Sequence, residues 1–314
     1  MNKIRNHLKD RFTFMNVQRP YPATPSPSAT LILAREDEAG IEVYLLRRSA
    51  ASKFMPGTYV FPGGNLEPED MNVAFWQDHV DLPVEQLEPS LDGAVDRMLP
   101  FAVAAIRETW EEAGLLLAGP MKAFSGPEPV AENGTPFTRQ IQDGGLGLSI
   151  SKLGRWHHWI TPELMPRRFD TYFFVAPVGQ DQRCRPDNHE TVHGTWANPL
   201  KALTENNQGT LPLSPPTLVT LHQLLPFADL DTLVAEARHR AWPAPIMPRL
   251  WPLDDGALII EPWDPDYTRE SVSVTIDRLE ADVLPVGAPF SRLWRHRGIC
   301  RPLRCRGKTE VTEV

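Results

Sequence analysis

The chain has 314 residues, of which 41% are hydrophobic, and its 40 acidic and 32 basic side chains give a formal net charge of −8. This composition is typical of a globular protein with a sizeable core, and the excess of acid argues against a general nucleic-acid-binding protein. Three scattered cysteines are too few for a disulfide framework and favour a reduced, cytoplasmic setting. No run of 18 apolar residues is present, so we expect no membrane span.

The chain is predicted to begin with an arm over 1–28, which is first basic and then proline-rich. Two β-type runs, 29–34 and 41–46, flank an acidic segment and predict a β-hairpin. Arg48 follows the second run, and Lys53 lies in the next loop. Each is a candidate for binding a phosphate group, and the alternative for each is a solvated side chain.

A short β-type run over 59–62 ends in Gly63 and Gly64. Because glycine has no side chain, such a pair either forms a tight turn or lets a backbone carbonyl approach a cation. Five residues separate Gly64 from Asp70. The irregular apolar spacing over 71–99 predicts one or two short helices that cover one edge of a site, and the alternative is an insertion with no role in the site.

The next stretch is predicted to be a helix that begins at Pro100 and ends at Gly114. Since a helix turns by about 100° per residue, Glu108, Glu111 and Glu112 lie on one side of it. Three like charges on one stripe repel each other, and a hard cation such as Mg²⁺ or Mn²⁺, which prefers oxygen ligands, explains the cluster. The alternative is a Glu-rich face that is simply solvated.

The spacing of these residues resembles the Nudix box of the Nudix hydrolases. That pattern is Gly, five residues, Glu, seven residues, then Arg-Glu-apolar-x-Glu-Glu-x-Gly-apolar. Gly64 matches the first glycine, and 107–115 matches the second half. Asp70 stands where the pattern has Glu, and 36 residues separate it from Arg107, so an insertion of about 29 residues splits the box.

Further stretches narrow the resemblance to one branch. Residues 45–49, Lys53, Gly57 and 61–64 resemble the motif that precedes the box in Nudix enzymes cleaving coenzyme A and its thioesters, although that motif usually has Arg where Lys53 stands. The split box and the stretches 159–163 and 166–171 are similar to the peroxisomal-type acyl-CoA diphosphatase branch. The resemblance covers about 29–203. It implies an α/β (α+β type) fold, the Nudix α/β/α sandwich with a mixed sheet, here with an insertion inside the box and a C-terminal helical plus β extension.

The resemblance also implies a metal site. The carbonyl of Gly64 and the carboxylates of Glu108, Glu111 and Glu112 are its expected ligands for Mg²⁺ or Mn²⁺. Such an ion would neutralise phosphate oxygens and acidify a water for attack on a diphosphate.

The resemblance is less specific about which residues act in catalysis than about the metal ligands. The resemblance implies that Arg107 orients a glutamate, with Asp70 as its partner, although Asp70 is one methylene shorter than the family's Glu. The general base stays open among Glu108, Glu111 and Glu190, and the alternative for Glu190 is an exposed loop carboxylate.

The middle of the chain is rich in Gly and Pro over 120–151, which predicts a loop with a short helix at 138–143. A β-rich run over 169–176 predicts a strand, and Arg167 and Arg168 lead into it. An arginine fork suits phosphate, so Arg168 is taken as a candidate substrate-binding residue. The alternative is an ion pair that only organises the strand.

Two helices are predicted over 215–225 and 231–240, and strands over 257–260 and 271–276. The stretch 291–308 then has seven Lys or Arg and no acid. We expect a solvated basic tail there, against the alternatives of binding an anionic ligand or a neighbouring subunit.

The predicted organisation is an arm (1–28), a Nudix domain (29–241, with an insertion at 71–99 and a helical part at 215–241) and a β-rich extension (242–314). The expected activity is metal-dependent hydrolysis of a diphosphate linkage in a nucleoside diphosphate derivative. CoA or acyl-CoA is the favoured substrate, giving a 4′-phosphopantetheine-type product and 3′,5′-ADP. An ADP-ribose or dinucleotide pyrophosphatase and a non-catalytic nucleotide-binding module are the alternatives. We expect a small-molecule partner, no nucleic acid and no membrane, and the oligomeric state stays open, a homodimer included.

Overall fold

The computed structural model describes residues 22–52, 55–121, 135–186 and 191–305, together with the backbone of 12–15. Most of the predicted arm lies outside these ranges. Within them, every helix is too short or too polar to cross a membrane.

The described residues form fifteen strands, most of them in two sheets. The strands are β1 (Phe12–Met15), β2 (Ser26–Asp37), β3 (Gly40–Arg48), β4 (Tyr59–Val60), β5 (Gly63–Asn65), β6 (Ala118–Pro120), β7 (Leu146–Leu148), β8 (Gly154–Ile160), β9 (Phe169–Pro177), β10 (Thr191–Ala197), β11 (Arg249–Leu253), β12 (Gly256–Ile260), β13 (Ser271–Val274), β14 (Arg292–His296) and β15 (Ile299–Leu303).

Eight α-helices accompany them in the described part of the chain. They are α1 (Val73–Gln77), α2 (Val84–Leu91), α3 (Val95–Ala113), α4 (Phe137–Asp143), α5 (Pro199–Gln208), α6 (Pro215–Leu224), α7 (Leu230–His239) and α8 (Ile276–Ala281).

The central sheet has the strand order β10-β3-β2-β9-β8, with β4 added to β3 and β5 added to β2. The predicted hairpin is β2 and β3, which pair antiparallel. The pairing of β2 with β9 is parallel, whereas the other described pairings in this sheet are antiparallel, so the sheet is mixed as predicted.

Helices cover both faces of this sheet, because alternate residues of β2 point to opposite sides. Leu31 and Leu33 join a core that includes the apolar face of α3, while Ile32 and Ala34 join a second core with α5, α6 and α7. The predicted α/β/α sandwich is therefore confirmed.

Helix α3 begins earlier than its sequence predicts. The predicted start at Pro100 is wrong, since the helix starts at Val95 and Pro100 lies in its second turn. Burial of the preceding Met98 stabilises this extra turn and offsets the hydrogen bond to the carbonyl of Asp96 that Pro100, which has no N–H, cannot make. The end is confirmed: Gly114 adopts a left-handed conformation with φ 62° and closes the helix.

The predicted short helices of the insertion are α1 and α2. They pack on the α3 core through Trp76, Leu87 and Leu91, all nearly fully buried. The indole Nε1 of Trp76 also donates to the carbonyl of Glu69 at 2.9 Å, which fixes the turn just before Asp70. The insertion therefore supports this turn from the core side.

The C-terminal extension is a packed layer, an antiparallel sheet with the order β11-β12-β14-β15. The expectation of a solvated basic tail over 291–308 is wrong for its described part, because β14 and β15 lie in this sheet. Arg292 is buried and donates from Nε and Nη2 to both oxygens of Asp264, at 2.7 and 2.8 Å. This pairing compensates its charge inside the protein.

The buried carboxyl group of Glu261, in this extension, should make the stability of the protein depend on pH. Among the residues that the structure describes, neither oxygen of Glu261 has a hydrogen-bond partner. Burial, aided by the nearby Asp264 charge, raises the pKa of Glu261 from 4.5 to about 8. The folded chain therefore holds this proton more tightly than the unfolded chain, so the stability associated with it is complete below pH 4.5 and is lost as pH rises towards 8. We expect Glu261→Gln to raise the free energy of unfolding by about 1–3 kcal/mol at pH 8.5, and by less at pH 6.

Urea unfolding at the two pH values measures this difference. Glu280→Gln, which changes an exposed carboxylate on α8 of the same extension, is the matched control. An equal change in stability at pH 6 and pH 8.5 for Glu261→Gln would contradict the assignment of a raised pKa.

Candidate active site

The site begins where β5 meets the acidic side of α3. The backbone N–H of Gly63 donates to Oε2 of Glu112 at 3.0 Å. Gly64 lies directly against Glu108, because a Cβ added to Gly64 would come within 2.4 Å of its carboxylate. The glycine and the glutamates of the box, which are far apart in sequence, are thus neighbours in space.

This close approach gives a prediction for Gly64→Ala. The added methyl group displaces the Glu108 carboxylate, which is the end of a flexible side chain, so we expect the fold to be retained. Affinity for Mn²⁺ should fall by about 10-fold or more, as it does when groups that orient ligands are changed. Isothermal titration with Mn²⁺ and a thermal melt measure the two effects. Gly119→Ala is the control, since an added Cβ there meets nothing within 4 Å, and equal Mn²⁺ affinities for both variants would refute the prediction.

Arg107 is the buried centre of the site, with a side chain that is 1% exposed. Its Nε and Nη2 donate to the two oxygens of Asp70, each at 2.9 Å, and Nη2 also donates to the carbonyl of Asn65. Its Nη1 donates to Glu108 and to Glu111, each at 3.0 Å. The shorter Asp70 therefore still pairs with Arg107 through both of its oxygens.

The charges of the site act on one another. Burial by itself lowers the pKa of Arg107, but the hydrogen bonds to Asp70 and the charges of Glu108 and Glu111 raise it above its usual value. Burial raises the pKa of Glu108 to about 7; Arg107 opposes this shift, whereas Glu111 adds to it. Burial likewise raises the pKa of Glu111, again opposed by Arg107. Arg107 thus keeps two crowded carboxylates on one side of the helix.

Glu108, Glu111 and Glu112 line a cavity of about 600 Å³, a volume typical of small-molecule sites. Its acidic side holds the box glutamates and its other walls are largely apolar. Its lining includes Arg48, Gly64, Glu67, Glu108, Glu111, Glu112, Arg167, Leu250, Ile259 and Arg295.

The donors on the acidic side fit a hard divalent cation. Gly64, Glu108, Glu111 and Glu112 all face the cavity and offer oxygen atoms. In the described ranges, no three acidic, histidine or cysteine side chains are close enough to enclose an ion by themselves. The role of these four residues as ligands stays a prediction.

Two of the residues predicted to bind phosphate, Arg48 and Arg168, lie in different environments. Arg48 lines the cavity and donates to Oγ of Ser52 at 3.0 Å. Arg168 is buried outside the lining and donates to the carbonyls of Thr161 and Ala23. Its neighbour Arg167 lines the cavity instead, so it takes the place of Arg168 in the proposals below.

Two predicted site residues, Lys53 and Glu190, lie outside the described residues. Two charged lining residues, Glu67 and Arg295, are not among the predicted site residues. The signal for Glu67 is its place three residues before Asp70 in the same turn, and the signal for Arg295 is the run of basic residues in the extension.

The insertion does not cover this site. None of the described lining residues belongs to 71–99, so the expectation that its helices form an edge of the site is wrong. Their apolar residues are used in packing against α3 instead.

Comparison with known proteins agrees with this geometry. The chain is 28% identical to the acyl-coenzyme A diphosphatase NUDT19 of Xenopus laevis over 307 residues, covering 80% of each protein. It is 29% identical to the protein of the same name from Gallus gallus, over 80% of this chain and 81% of that one.

Among solved structures, a Nudix hydrolase from Alicyclobacillus acidocaldarius superposes with a TM-score of 0.58 at 25% identity, covering 71% of this chain and all but 1% of that one. The family model described as the NUDT19 Nudix domain matches residues 23–224, which is more than half of the chain and includes both halves of the split box. The chain therefore belongs to the NUDT19 Nudix domain family.

Proposed function

We propose that this protein is a metal-dependent hydrolase that cleaves the diphosphate linkage of coenzyme A or acyl-CoA, giving 4′-phosphopantetheine or its acyl form and 3′,5′-ADP. The observation that carries the proposal is the meeting of Gly64 with Glu108 on the wall of a cavity that also holds Arg48 and Arg167. The relatives named acyl-CoA diphosphatase support the choice of substrate.

The acidic side of the cavity is where the reaction would take place. Glu108, Glu111 and Glu112 would hold a divalent cation, Mg²⁺ or Mn²⁺, which when bound supplies charge neutralisation and a more acidic water. Arg107 positions two of these carboxylates without facing the cavity itself. A carboxylate then takes the proton of the attacking water.

The proton acceptor is open among the acidic residues of the site. Without a bound ion, burial raises the pKa of Glu108 to about 7, and the charge of a divalent cation held by this side chain would lower it. Glu190 stays a candidate on sequence grounds alone.

The cationic side of the cavity would receive the substrate's phosphates. A diphosphate carries negative charge that the box glutamates repel, so it requires positive partners. Arg48, at the end of β3, and Arg167, just before β9, both face the cavity and present planar guanidinium groups that suit phosphate oxygens.

The cytoplasm is the compartment that we propose, on the low cysteine content alone. The three cysteines, Cys184, Cys300 and Cys305, are all free thiols in the structure.

A product assay tests the proposal. The full chain is incubated with Mg²⁺ or Mn²⁺ and with CoA, a fatty acyl-CoA, ADP-ribose or diadenosine polyphosphate, and the products are separated by chromatography. We expect 3′,5′-ADP from CoA and acyl-CoA, and no product after the metal is removed with EDTA.

Other outcomes would replace the proposal. Products from ADP-ribose or dinucleotides alone would make the chain a different Nudix pyrophosphatase. Nucleotide binding without any product, unchanged by Glu112→Gln, would make it a binding module.

A further inference from the structure

The C-terminal extension supplies one wall of the cavity. Leu250 of β11, Ile259 of β12 and Arg295 of β14 line it, although none of them belongs to the Nudix box or to the matched region 23–224. The cavity is therefore a joint product of the Nudix domain and this sheet.

Strand register explains why these three side chains share a face. Leu250 pairs with Ile259, which in turn pairs with Leu293. Arg295 lies two residues beyond Leu293 and so points to the same side. Leu250, Ile259 and Leu293 pack into the second core of the Nudix domain, which fixes this face of the sheet towards the cavity.

The opposite face of the sheet packs in a different part of the protein. Trp251, Leu258 and Trp294 form a separate apolar cluster with Leu279 of α8. The sheet is thus anchored on both sides, and the backbone that carries Arg295 is held in place.

Arg295 brings a charge that no described residue compensates. The residue is half-buried, and its guanidinium group forms no hydrogen bond or ion pair with any residue of the described ranges. Arg292, on the same strand, shows the contrast, since Asp264 and Asp266 both pair with it. A half-buried guanidinium that faces a cavity beside apolar side chains is suited to an anion from a ligand.

We propose that Arg295 binds the 3′-phosphate on the ribose of coenzyme A and so makes the C-terminal sheet a determinant of substrate choice. This inference rests on the proposed function. CoA has three phosphates, and under the proposed function the two in the scissile linkage would be held by a divalent cation, Arg48 and Arg167. The third is a terminal phosphate monoester, which a planar guanidinium can hold through two hydrogen bonds.

A cycle of two substrates and two proteins tests this. Wild type and Arg295→Ala are each assayed with CoA and with dephospho-CoA, which lacks only the 3′-phosphate. We expect Arg295→Ala to lower kcat/KM about 10- to 100-fold for CoA and less than about 3-fold for dephospho-CoA. Arg295→Lys keeps the charge but loses the planar guanidinium group, so we expect its kcat/KM for CoA to lie between those of wild type and Arg295→Ala.

The control is Arg301→Ala. Arg301 pairs with Trp294 and therefore lies on the opposite face of the same sheet, outside the cavity lining. Arg301→Ala removes the same charge from the same sheet, and we expect kcat/KM to change by no more than about 2-fold with either substrate. Equal losses for CoA and dephospho-CoA in Arg295→Ala, or no loss in either, would overturn the inference.

A binding measurement separates this inference from the proposed function. Adenosine 3′,5′-bisphosphate and adenosine 5′-monophosphate are titrated calorimetrically into both proteins. We expect wild type to bind the bisphosphate about 10-fold or more tightly than the monophosphate, and Arg295→Ala to bind both alike. If no CoA compound is hydrolysed but this preference is present, the hydrolase proposal fails and the subsite stands. If wild type binds both nucleotides alike, the subsite is refuted whatever the activity.

Discussion

Replacing Glu108 with glutamine is expected to lower kcat for CoA hydrolysis by about 100-fold or more while leaving the fold intact. The amide oxygen of glutamine can still accept the hydrogen bond that Arg107 donates at 3.0 Å, so the local structure has no cause to change. What is lost is a negative charge beside Gly64, where a divalent cation would be held, and with it the neutralisation of the reacting phosphate. Steady-state kinetics at saturating CoA and Mg²⁺, with a thermal melt, measure the two quantities.

The matched control is Glu88→Gln, which removes an exposed carboxylate from α2, outside the cavity lining. We expect wild-type kinetics from that variant. Calorimetric titration with Mn²⁺ completes the test, since Glu108→Gln should bind the ion more weakly than wild type. Unchanged kcat and Mn²⁺ affinity in Glu108→Gln would show that this carboxylate is no part of the reaction centre.

Asp70→Asn is expected to have the largest effect on stability, a loss of about 3–5 kcal/mol. Asp70 is fully buried, and both of its oxygens accept hydrogen bonds from Arg107. Asparagine keeps the shape but turns one acceptor into an N–H₂ donor that faces a guanidinium, so a buried cation loses its main partner. Chemical denaturation measures the loss in free energy of unfolding.

Activity should fall in the same variant, because Arg107 also positions Glu108 and Glu111. Asp78→Asn is the control, since this aspartate follows α1 in the same insertion region and forms no ion pair with a described residue. A loss below about 1 kcal/mol in Asp70→Asn would mean that the Arg107 network contributes little to folding.

Local spacing was sufficient to predict the acidic face of α3 and its end at Gly114, because helical periodicity and a left-handed glycine are properties of adjacent residues. The same holds for the hairpin of β2 and β3, where apolar runs flank a polar turn. The start of α3 was predicted wrongly because burial of Met98, a tertiary effect, carries the helix back past Pro100.

The spacing of residues along the chain did not predict the directions in which the side chains of the site point. Arg167 and Arg168 are adjacent, and only packing decides that the second turns inward to carbonyl groups while the first faces the cavity. The run of basic residues in the extension poses the same problem, since Arg292 is paired and buried whereas Arg295 lines the cavity.

Residue types and their separations along the chain were enough to predict the family resemblance, the acidic stripe and the pairing of Asp70 with Arg107 that the resemblance implied. The support that the insertion at 71–99 gives to the core, and the cavity wall formed by the extension, became visible only in the folded protein. The physical reason is that the placement of a whole layer follows from which apolar faces bury one another, and that choice involves residues hundreds of positions apart.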